Sequence, residues 1–156
     1  LEFKYEGCLE CLFLLLLVDA NMLQTWQANR QVCLDFHKSC IKKKAYTIIG
    51  YKGKQVRDNL HSNDLVNCFW QFYKKPKKGA VYNIGGGRFS NCSIIEALEF
   101  FEKKTNINIK KKYLKSNRVG DHKWYVTNNS KFMKDYPKWK QIYNTEMIIE
   151  ELISNI

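Results

Sequence analysis

The residues of this chain best suited to bind a charged ligand lie in one short stretch, Gly50 to Asp64. This stretch places Lys54 and Arg57 close together in a turn bracketed by glycines. A guanidinium group is a rigid fork of donors that matches a diphosphate or a carboxylate. The sequence Ser62-Asn63-Asp64 then indicates a helix start, where amide groups also favour an anion. The stretch therefore predicts a site for a negatively charged ligand.

Two predicted elements hold this turn in place. The β-branched run Thr47-Ile48-Ile49 indicates a strand from Tyr46 to Ile49 that leads into the turn. From Asp64 to Tyr73 apolar residues recur at helical spacing, and Pro76 ends the helix. The basic side chains are thus expected where a strand ends and a helix begins.

Three motifs in a fixed order carry a resemblance to a known family. They are Gly-Lys-Gln-Val-Arg-Asp at residues 53–58, Tyr-Asn-Ile-Gly-Gly-Gly at 82–87 and Arg-Val-Gly-Asp-His at 118–122. Over roughly residues 46–153 the chain resembles the extended short-chain dehydrogenase/reductases, which are NAD-dependent nucleotide-sugar epimerases and dehydratases. Among these it resembles the CDP-paratose (CDP-tyvelose) 2-epimerase group, whose products enter lipopolysaccharide O-antigen biosynthesis.

The resemblance implies an α/β fold, namely the C-terminal fragment of a Rossmann-type enzyme. A few parallel strands and a small mixed substrate-binding lobe are expected. Residues 1–45 would be a remnant of the cofactor-domain edge, and residues 46–156 the nucleotide-sugar-binding portion. The length of 156 residues, about half of what a two-lobed enzyme needs, also leads us to expect a fragment.

The resemblance also assigns the substrate-binding residues. It implies that Arg57 and Arg118 grip the diphosphate of a nucleoside-diphosphate sugar, and that Asp121 contacts the ribose. Lys54 and Gln55 are expected to border the phosphate. For each arginine taken alone, a surface ion pair is the competing interpretation.

Five further residues are expected to support the site structurally. Asp58 and Asp64 are predicted to orient backbone amides, and His61 to hydrogen-bond behind the Arg57 loop. Asn83 and Gly85 belong to a tight glycine turn expected near the ligand. That turn lacks the third glycine of a dinucleotide-binding fingerprint, because Ser90 occupies its position.

No catalytic residue is predicted in the chain. The family's Tyr-x-x-x-Lys pair must share one helix face, yet Pro76 and Pro137 interrupt the two matches, which begin at Tyr73 and Tyr136. NAD is therefore the cofactor of the family but is not expected to bind this chain alone. The expected partners are a nucleoside-diphosphate sugar and either a missing N-terminal lobe or a homodimer mate.

The composition is strongly basic, with 26 Lys and Arg against 15 Asp and Glu and a net charge of +11. Acidic partners and a simple codon bias explain this charge about equally well. The alternatives are a non-functional truncated product and a basic nucleic-acid-binding module, but the aromatic residues follow core periodicity, which argues against the latter. The single Cys8-x-x-Cys11 pair does not predict a metal site. The six cysteines of the sequence fit a reduced, cytoplasmic chain.

The N-terminal third departs from the family pattern. Residues 12–18 form an apolar run that is too short to cross a bilayer. Such runs are typical of strands in the middle of a parallel sheet, so a buried strand is predicted. After Trp26-Gln27 the expected loop motif is broken, although the register of the following elements is kept. A reading-frame error, a truncated gene and divergence in a substrate loop are the open explanations.

The remaining elements are predicted from local patterns. We expect a buried strand at Ala80–Ile84, a helix from Asn91 to Lys104 capped by Ser90 or Asn91, and an edge strand at Asn108–Leu114. A short helix capped by Asn128 should reach Asp135. A final helix capped by Thr145 should present one apolar face, with Met147, Ile148, Glu151 and Leu152 on it.

Overall fold

The computed structural model of the protein describes residues 45–114 and 121–154. Within these ranges lie five strands and four α-helices. The strands are β1 (Tyr46–Ile49), β2 (Val56–Asp58), β3 (Asn91–Ser93), β4 (Lys111–Leu114) and β5 (Trp124–Tyr125). The helices are α1 (Ser62–Lys74), α2 (Ile94–Thr105), α3 (Ser130–Asp135) and α4 (Thr145–Ser154). The predictions for residues 12–18, for the break after Gln27 and for Arg118 fall outside the described residues.

The strands form two small sheets. In the first, β1 and β4 pair in parallel, with Tyr46 opposite Lys111. In the second, β2 is central, antiparallel to β3 and parallel to β5. The predicted α/β class with a few parallel strands matches this arrangement.

The central strand β2 presents neighbouring side chains to opposite faces of its sheet. Arg57 is in register with Cys92 and Tyr125, whereas Val56 is in register with Trp124. Because side chains alternate along a strand, Arg57 and Tyr125 share one face, and Trp124 and Asp58 lie on the other. The second sheet therefore has two chemically different sides.

One apolar core joins the first sheet to the helices α2 and α4. Its buried members are Ile48, Ala97, Leu98, Phe101, Ile109 and Ile149. Leu98 has no exposed surface, and Ile48 is 2% exposed. The core fixes the end of β1, from which the basic turn emerges.

A second core lies under α1, α3 and the following loop. It consists of Cys68, Phe132, Tyr136 and Trp139, with Trp139 only 1% exposed. The indole nitrogen of Trp139 donates to the backbone oxygen of Asp64 at 3.0 Å. This contact anchors the start of α1, as a buried indole N–H requires a partner.

The structure corrects the predictions for residues 80–104. Ala80–Ile84 forms no strand with any described residue. Tyr82 instead donates its hydroxyl hydrogen to Asp135 of α3 at 2.7 Å. The helix begins at Ile94, not Asn91, because Asn91–Ser93 pair with β2. Its cap is Ser93, which forms a capping box with Glu96.

The last helix also differs from its prediction in detail. Met147 is 41% exposed, whereas Ile149 is buried and Ile153 packs beside it in the first core. The capping side chain is Asn144, whose Oδ1 accepts from the amide of Met147 at 2.9 Å. Thr145 already lies in the first turn.

The expectation that the aromatic residues follow core periodicity is wrong for part of the chain. Phe101, Phe132, Tyr136 and Trp139 are buried, as expected. Six others are at least 48% exposed: Trp70, Tyr73, Phe89, Tyr113, Trp124 and Tyr125. Local spacing does not distinguish the two groups, because burial depends on which elements pack over each face.

Candidate functional site

Arg57 and Asp121, two of the predicted substrate-binding residues, lie in direct contact. Arg57 Nη2 is 2.5 Å from Asp121 Oδ1, although the residues are 64 positions apart in the chain. Their side chains are 29% and 14% exposed, so the pair is partly shielded from water. Arg57 Nη1 also donates to the backbone oxygen of Val56 at 2.7 Å. A guanidinium has five N–H donors, so further donors remain for a ligand.

This ion pair is the competing interpretation that the sequence left open for Arg57. Its partner, however, is another predicted site residue. The pair holds the guanidinium in one orientation, which lowers the entropy that would be lost on gripping an anion. A resting ion pair and a ligand-binding role are thus compatible here.

Gln55 and Tyr51 complete the polar cluster around Asp121. Gln55 Nε2 donates to the backbone oxygen of Ile49 at 2.8 Å and lies 3.5 Å from Asp121 Oδ2. The hydroxyl of Tyr51 is 3.4 Å from the backbone oxygen of Asp121. Gln55 Oε1 is buried and has no hydrogen-bond partner within the described residues. A buried acceptor of this kind calls for a donor from water or from a ligand.

The basic turn that orients these groups has an unusual backbone. A 3-10 turn, Tyr51–Gly53, follows β1, and Gly50, Tyr51, Lys52 and Gly53 all have positive φ. At Gly53, with φ of +76°, a Cβ atom would lie 2.9 Å from Ile48 Cγ2. Glycine is therefore required at this position both by conformation and by space.

Three residues near the cluster were not singled out from the sequence. They are Tyr51, Lys123 and Tyr125. The Lys123 ammonium lies 5.3 Å from the centroid of the Tyr51 ring. Tyr125 is 48% exposed on the Arg57 face. The ring of His122 lies 6.1 Å from that of Tyr125. Their placement depends on the pairing of β5 with β2, which no local pattern reveals. Lys54, which precedes Gln55 in the chain, is exposed.

Asp58 is 4% exposed and connects three segments. Its Oδ2 accepts from the amides of Gly87 at 2.8 Å and Thr127 at 2.9 Å. It therefore ties β2 to the glycine turn and to the segment after β5. Its contacts are those of a residue that orients backbone amides.

Asp64 and His61 organise the start of α1. Asp64 is 1% exposed and accepts from the amides of Ile142 at 3.1 Å and Tyr143 at 3.0 Å. His61 is the N-cap, where its Nδ1 accepts from Asn63 at 3.1 Å. Its ring stacks on Tyr143, with centroids 3.8 Å apart. His61 thus makes structural contacts at the start of α1, and its predicted position behind the Arg57 loop stays a prediction.

Asn83 is exposed, and Gly85 is buried in the glycine turn. The amide of Gly85 donates to Asn129 Oδ1 at 3.1 Å, and its carbonyl accepts from Asn129 Nδ2 at 2.8 Å. A Cβ atom on Gly85 would lie 2.5 Å from Asp58 Oδ2. The turn consequently packs against Asp58, on the face opposite Arg57. Whether any predicted site residue contacts a ligand stays a prediction, and Arg118 lies outside the described residues.

The glycine turn does not fit a dinucleotide. The amides of Gly85 and Gly87 are already bonded to Asn129 and Asp58. The turn also leads into β3 rather than into a helix N-terminus. In a dinucleotide site, by contrast, these amides and a following helix face the pyrophosphate.

Neither Tyr-x-x-x-Lys match lies on a single helical turn. Helix α1 ends at Lys74, before Lys77, and α3 ends at Asp135, before Tyr136. Tyr136 is 4% exposed, and burial raises the pKa of its hydroxyl. A general acid/base tyrosine needs the opposite shift, so burial does not suit Tyr136 to that role.

Comparison with known proteins identifies the relatives of the chain. Residues 24–85 match the NAD dependent epimerase/dehydratase family. A CDP-paratose 2-epimerase of Salmonella typhi is 35% identical over 69 residues, which cover 43% of this chain and 20% of that protein. Over part of its length the chain is therefore similar to members of the NAD dependent epimerase/dehydratase family. UDP-arabinose 4-epimerase 1 of Arabidopsis thaliana is also 35% identical, over 85 residues covering 53% of this chain and 20% of the relative.

Solved structures agree with this family. A UDP-glucuronic acid 4-epimerase from Bacillus cereus, in complex with UDP-glucuronic acid and NAD, superposes with a TM-score of 0.65 at 25% identity. The match covers 77% of this chain and 38% of that one. A dTDP-glucose 4,6-dehydratase from Bacillus anthracis in complex with NAD gives a TM-score of 0.67 at 22% identity, covering 79% and 37%. The resemblance and the Rossmann-type α/β fold class are confirmed.

Two further observations concern the described residues alone. None of their helices has the length and apolarity that a membrane span requires. They also contain no group of three or more His, Cys, Asp or Glu residues arranged to hold a metal ion.

Proposed function

We propose that this chain is the substrate-binding part of a nucleotide-sugar epimerase of the CDP-sugar 2-epimerase type. In this proposal Arg57 and Arg118 bind the diphosphate of a nucleoside-diphosphate sugar. Asp121 holds Arg57 in the absence of ligand and accepts ribose hydroxyl hydrogens when the ligand is bound. Lys54 and Gln55 border the phosphates.

The contact between Arg57 and Asp121 is the observation that carries this proposal. Two motifs that are distant in the sequence meet at one partly shielded point. Gln55 Oε1 is buried beside them without a donor from the described residues. Lys54 and Lys123 add positive charge nearby, which suits a diphosphate. A carboxylate next to the cations suits the ribose hydroxyls, which are donors.

The proposal further holds that these 156 residues do not complete a catalytic turnover alone. NAD and the acid/base tyrosine would be provided by a lobe outside these residues or by a homodimer mate. The bonded amides of the glycine turn and the interrupted Tyr-x-x-x-Lys matches support this.

The test is a calorimetric titration of the purified chain with CDP, UDP and GDP. Replacing Arg57 or Arg118 by Ala removes a charge-assisted contact worth about 1.5–3 kcal/mol, so the dissociation constant should rise about 10- to 150-fold. Lys78→Ala, a change at an exposed lysine in a separate turn, is the matched control and should bind as the parent does. Unchanged nucleotide binding in both arginine variants would show the assignment to be wrong.

A nucleic-acid-binding function is the second candidate. The net charge of +11 and the six exposed aromatic residues favour it. Such a module would be retained on heparin well above physiological salt and would lose affinity for single-stranded DNA steeply with salt. Weak retention that ends at physiological salt would leave the nucleotide-sugar proposal as the better one.

A further inference from the structure

A cleft lies apart from the Arg57 cluster. It has a volume of about 860 Å³ and is bounded by the glycine turn with Arg88 and Phe89, by β5 and residues 126–130, and by residues 139–141. Pockets that take small molecules commonly measure about 300–1,000 Å³. The cleft therefore has the size of a ligand site.

The cleft and the Arg57 cluster are on opposite faces of the second sheet. Trp124 lines the cleft and is in register with Val56, whereas Arg57 is in register with Tyr125. Since aligned residues of neighbouring strands share a face, Trp124 and Arg57 point to different sides. A ligand in the cleft would not occupy the proposed diphosphate site.

The walls of the cleft offer exposed rings and apolar surface. Trp124 is 65% exposed, Phe89 is 55% exposed and Met133 is 49% exposed. Buried Trp139 also contributes to the lining. Flat aromatic surfaces at this exposure favour a ligand with a planar ring, which gains from stacking and from loss of water.

The charged groups among the described residues that line the cleft are all positive. They are Arg88 and Lys140, and no Asp or Glu is among these residues. Gln141 also lines the cleft, and its Nε2 is buried without an acceptor from the described residues. Two cations and an unused amide donor together select an anionic group.

We propose that this cleft binds a small aromatic anion, a planar ring that carries a carboxylate or a phosphate. The ring stacks against Trp124 or Phe89, and the anionic group contacts Arg88 and Lys140. Gln141 Nε2 donates to the ligand. Nucleoside monophosphates and aromatic carboxylates share this chemistry, and the site is independent of the nucleotide-sugar proposal.

The test is calorimetric titration of the full chain with phenyl phosphate, indole-3-acetate and cytidine 5′-monophosphate. At least one of these should bind at one site per chain. Comparison of the three shows whether the cleft prefers an aromatic phosphate, an aromatic carboxylate or a nucleoside monophosphate. Arg88→Gln and Lys140→Gln should each weaken that binding about tenfold, the effect of losing one charge-assisted contact. Trp124→Leu should weaken it by a similar factor through loss of stacking.

Matched controls separate this site from other effects. Lys78→Gln and Trp70→Leu change an exposed lysine and an exposed tryptophan elsewhere and should leave binding unchanged. Arg57→Ala should also leave the binding of phenyl phosphate and indole-3-acetate unchanged; cytidine 5′-monophosphate is excluded from this control because it also fits the proposed nucleotide-sugar site. Inorganic phosphate and neutral indole should bind far more weakly than the aromatic anions. Circular dichroism and thermal unfolding establish that each variant is folded.

Three results would overturn the proposal. The first is no saturable binding of any of the three aromatic anions. The second is equal affinity for inorganic phosphate and phenyl phosphate, which would make the ring irrelevant. The third is binding of phenyl phosphate or indole-3-acetate that Arg57→Ala abolishes and Arg88→Gln leaves intact, which would place the ligand in the diphosphate site instead.

Discussion

Replacing Asp58 by Ala should destabilise the chain more than any surface substitution. Asp58 is 4% exposed, and a single oxygen accepts from the amides of Gly87 and Thr127 at 2.8 and 2.9 Å. A hydrogen bond to a charged group contributes about 1.5–3 kcal/mol to stability. Two such bonds make the expected loss about 3–6 kcal/mol, against a typical total of about 5–15 kcal/mol. The variant should therefore lose a large fraction of its stability while still showing a measurable unfolding transition.

Asp58→Asn provides a graded comparison for the same contact. The amide oxygen of Asn can still accept from both backbone amides, but without a full negative charge. Because neutral hydrogen bonds contribute about 0.5–1.5 kcal/mol each, the loss should be roughly half of that in the Ala variant. Glu99→Ala, at an exposed position of α2, is the control and should change stability by less than about 0.5 kcal/mol.

Urea unfolding followed by circular dichroism measures these differences directly. The midpoint and slope of each transition give the free energy of unfolding in water. A loss below about 1 kcal/mol in Asp58→Ala would refute the reasoning, since it would mean that the two amides find other acceptors. The same variant should also bind CDP more weakly, because β2 carries both Arg57 and Asp58.

Two other predictions concern the close packing of the glycine turn and the capping box of α2. Gly86→Ala should cost about 3 kcal/mol, because its Cβ would lie 2.2 and 2.3 Å from backbone oxygens. Gly79→Ala meets no atom within 4 Å, so it should cost only the roughly 1–2 kcal/mol of placing alanine at a φ of +68°. Urea unfolding compares the two variants. Hydrogen bonds from Ser93 lower the pKa of Glu96, so its stabilisation is present above the unfolded pKa and is lost as pH falls through the folded one. Melting temperatures between about pH 6 and 3 should fall less in Glu96→Gln than in the parent, and equal slopes would contradict this.

The parts of the fold that the sequence predicted well are those set by local patterns. The strand β1 matches its prediction, Tyr46–Ile49, because three β-branched residues sit beside a glycine turn. Helix α1 follows its apolar periodicity and ends before Pro76. Both signals depend on a few neighbouring residues, so no knowledge of the rest of the chain is needed.

The errors arise where pairing between distant segments decides the structure. Residues 80–84 have the composition of a buried strand, yet side-chain contacts fix them instead, such as the hydrogen bond from Tyr82 to Asp135. Ser93-x-x-Glu96 is a capping box that could have been recognised from the sequence. Strand β5 has only two residues and exists because β2 lies beside it. Its exposed Trp124 and Tyr125 could not be assigned to faces beforehand.

The candidate site divides in the same way. Residue types and motif order led to Arg57 and Asp121, but their contact across 64 positions depends on the tertiary fold. The positions of Tyr51 and Lys123 around Asp121 depend on that fold as well. Sequence patterns therefore suggest individual groups for the site, whereas the contacts between those groups follow only from the tertiary fold.

The sequence Val-Arg-Asp at residues 56–58 contributes both to the fold and to the proposed ligand site. Because strand side chains alternate, Arg57 must face the polar cluster if Asp58 faces the glycine turn. A shift of one residue would bury the guanidinium against Gly85 and Gly87 and expose the carboxylate, which removes the contacts of both. The motif is consequently required by the structure even where no ligand binds. Its presence is stronger evidence for the fold than for the activity, which is why the variants at residues 57 and 118 decide the function.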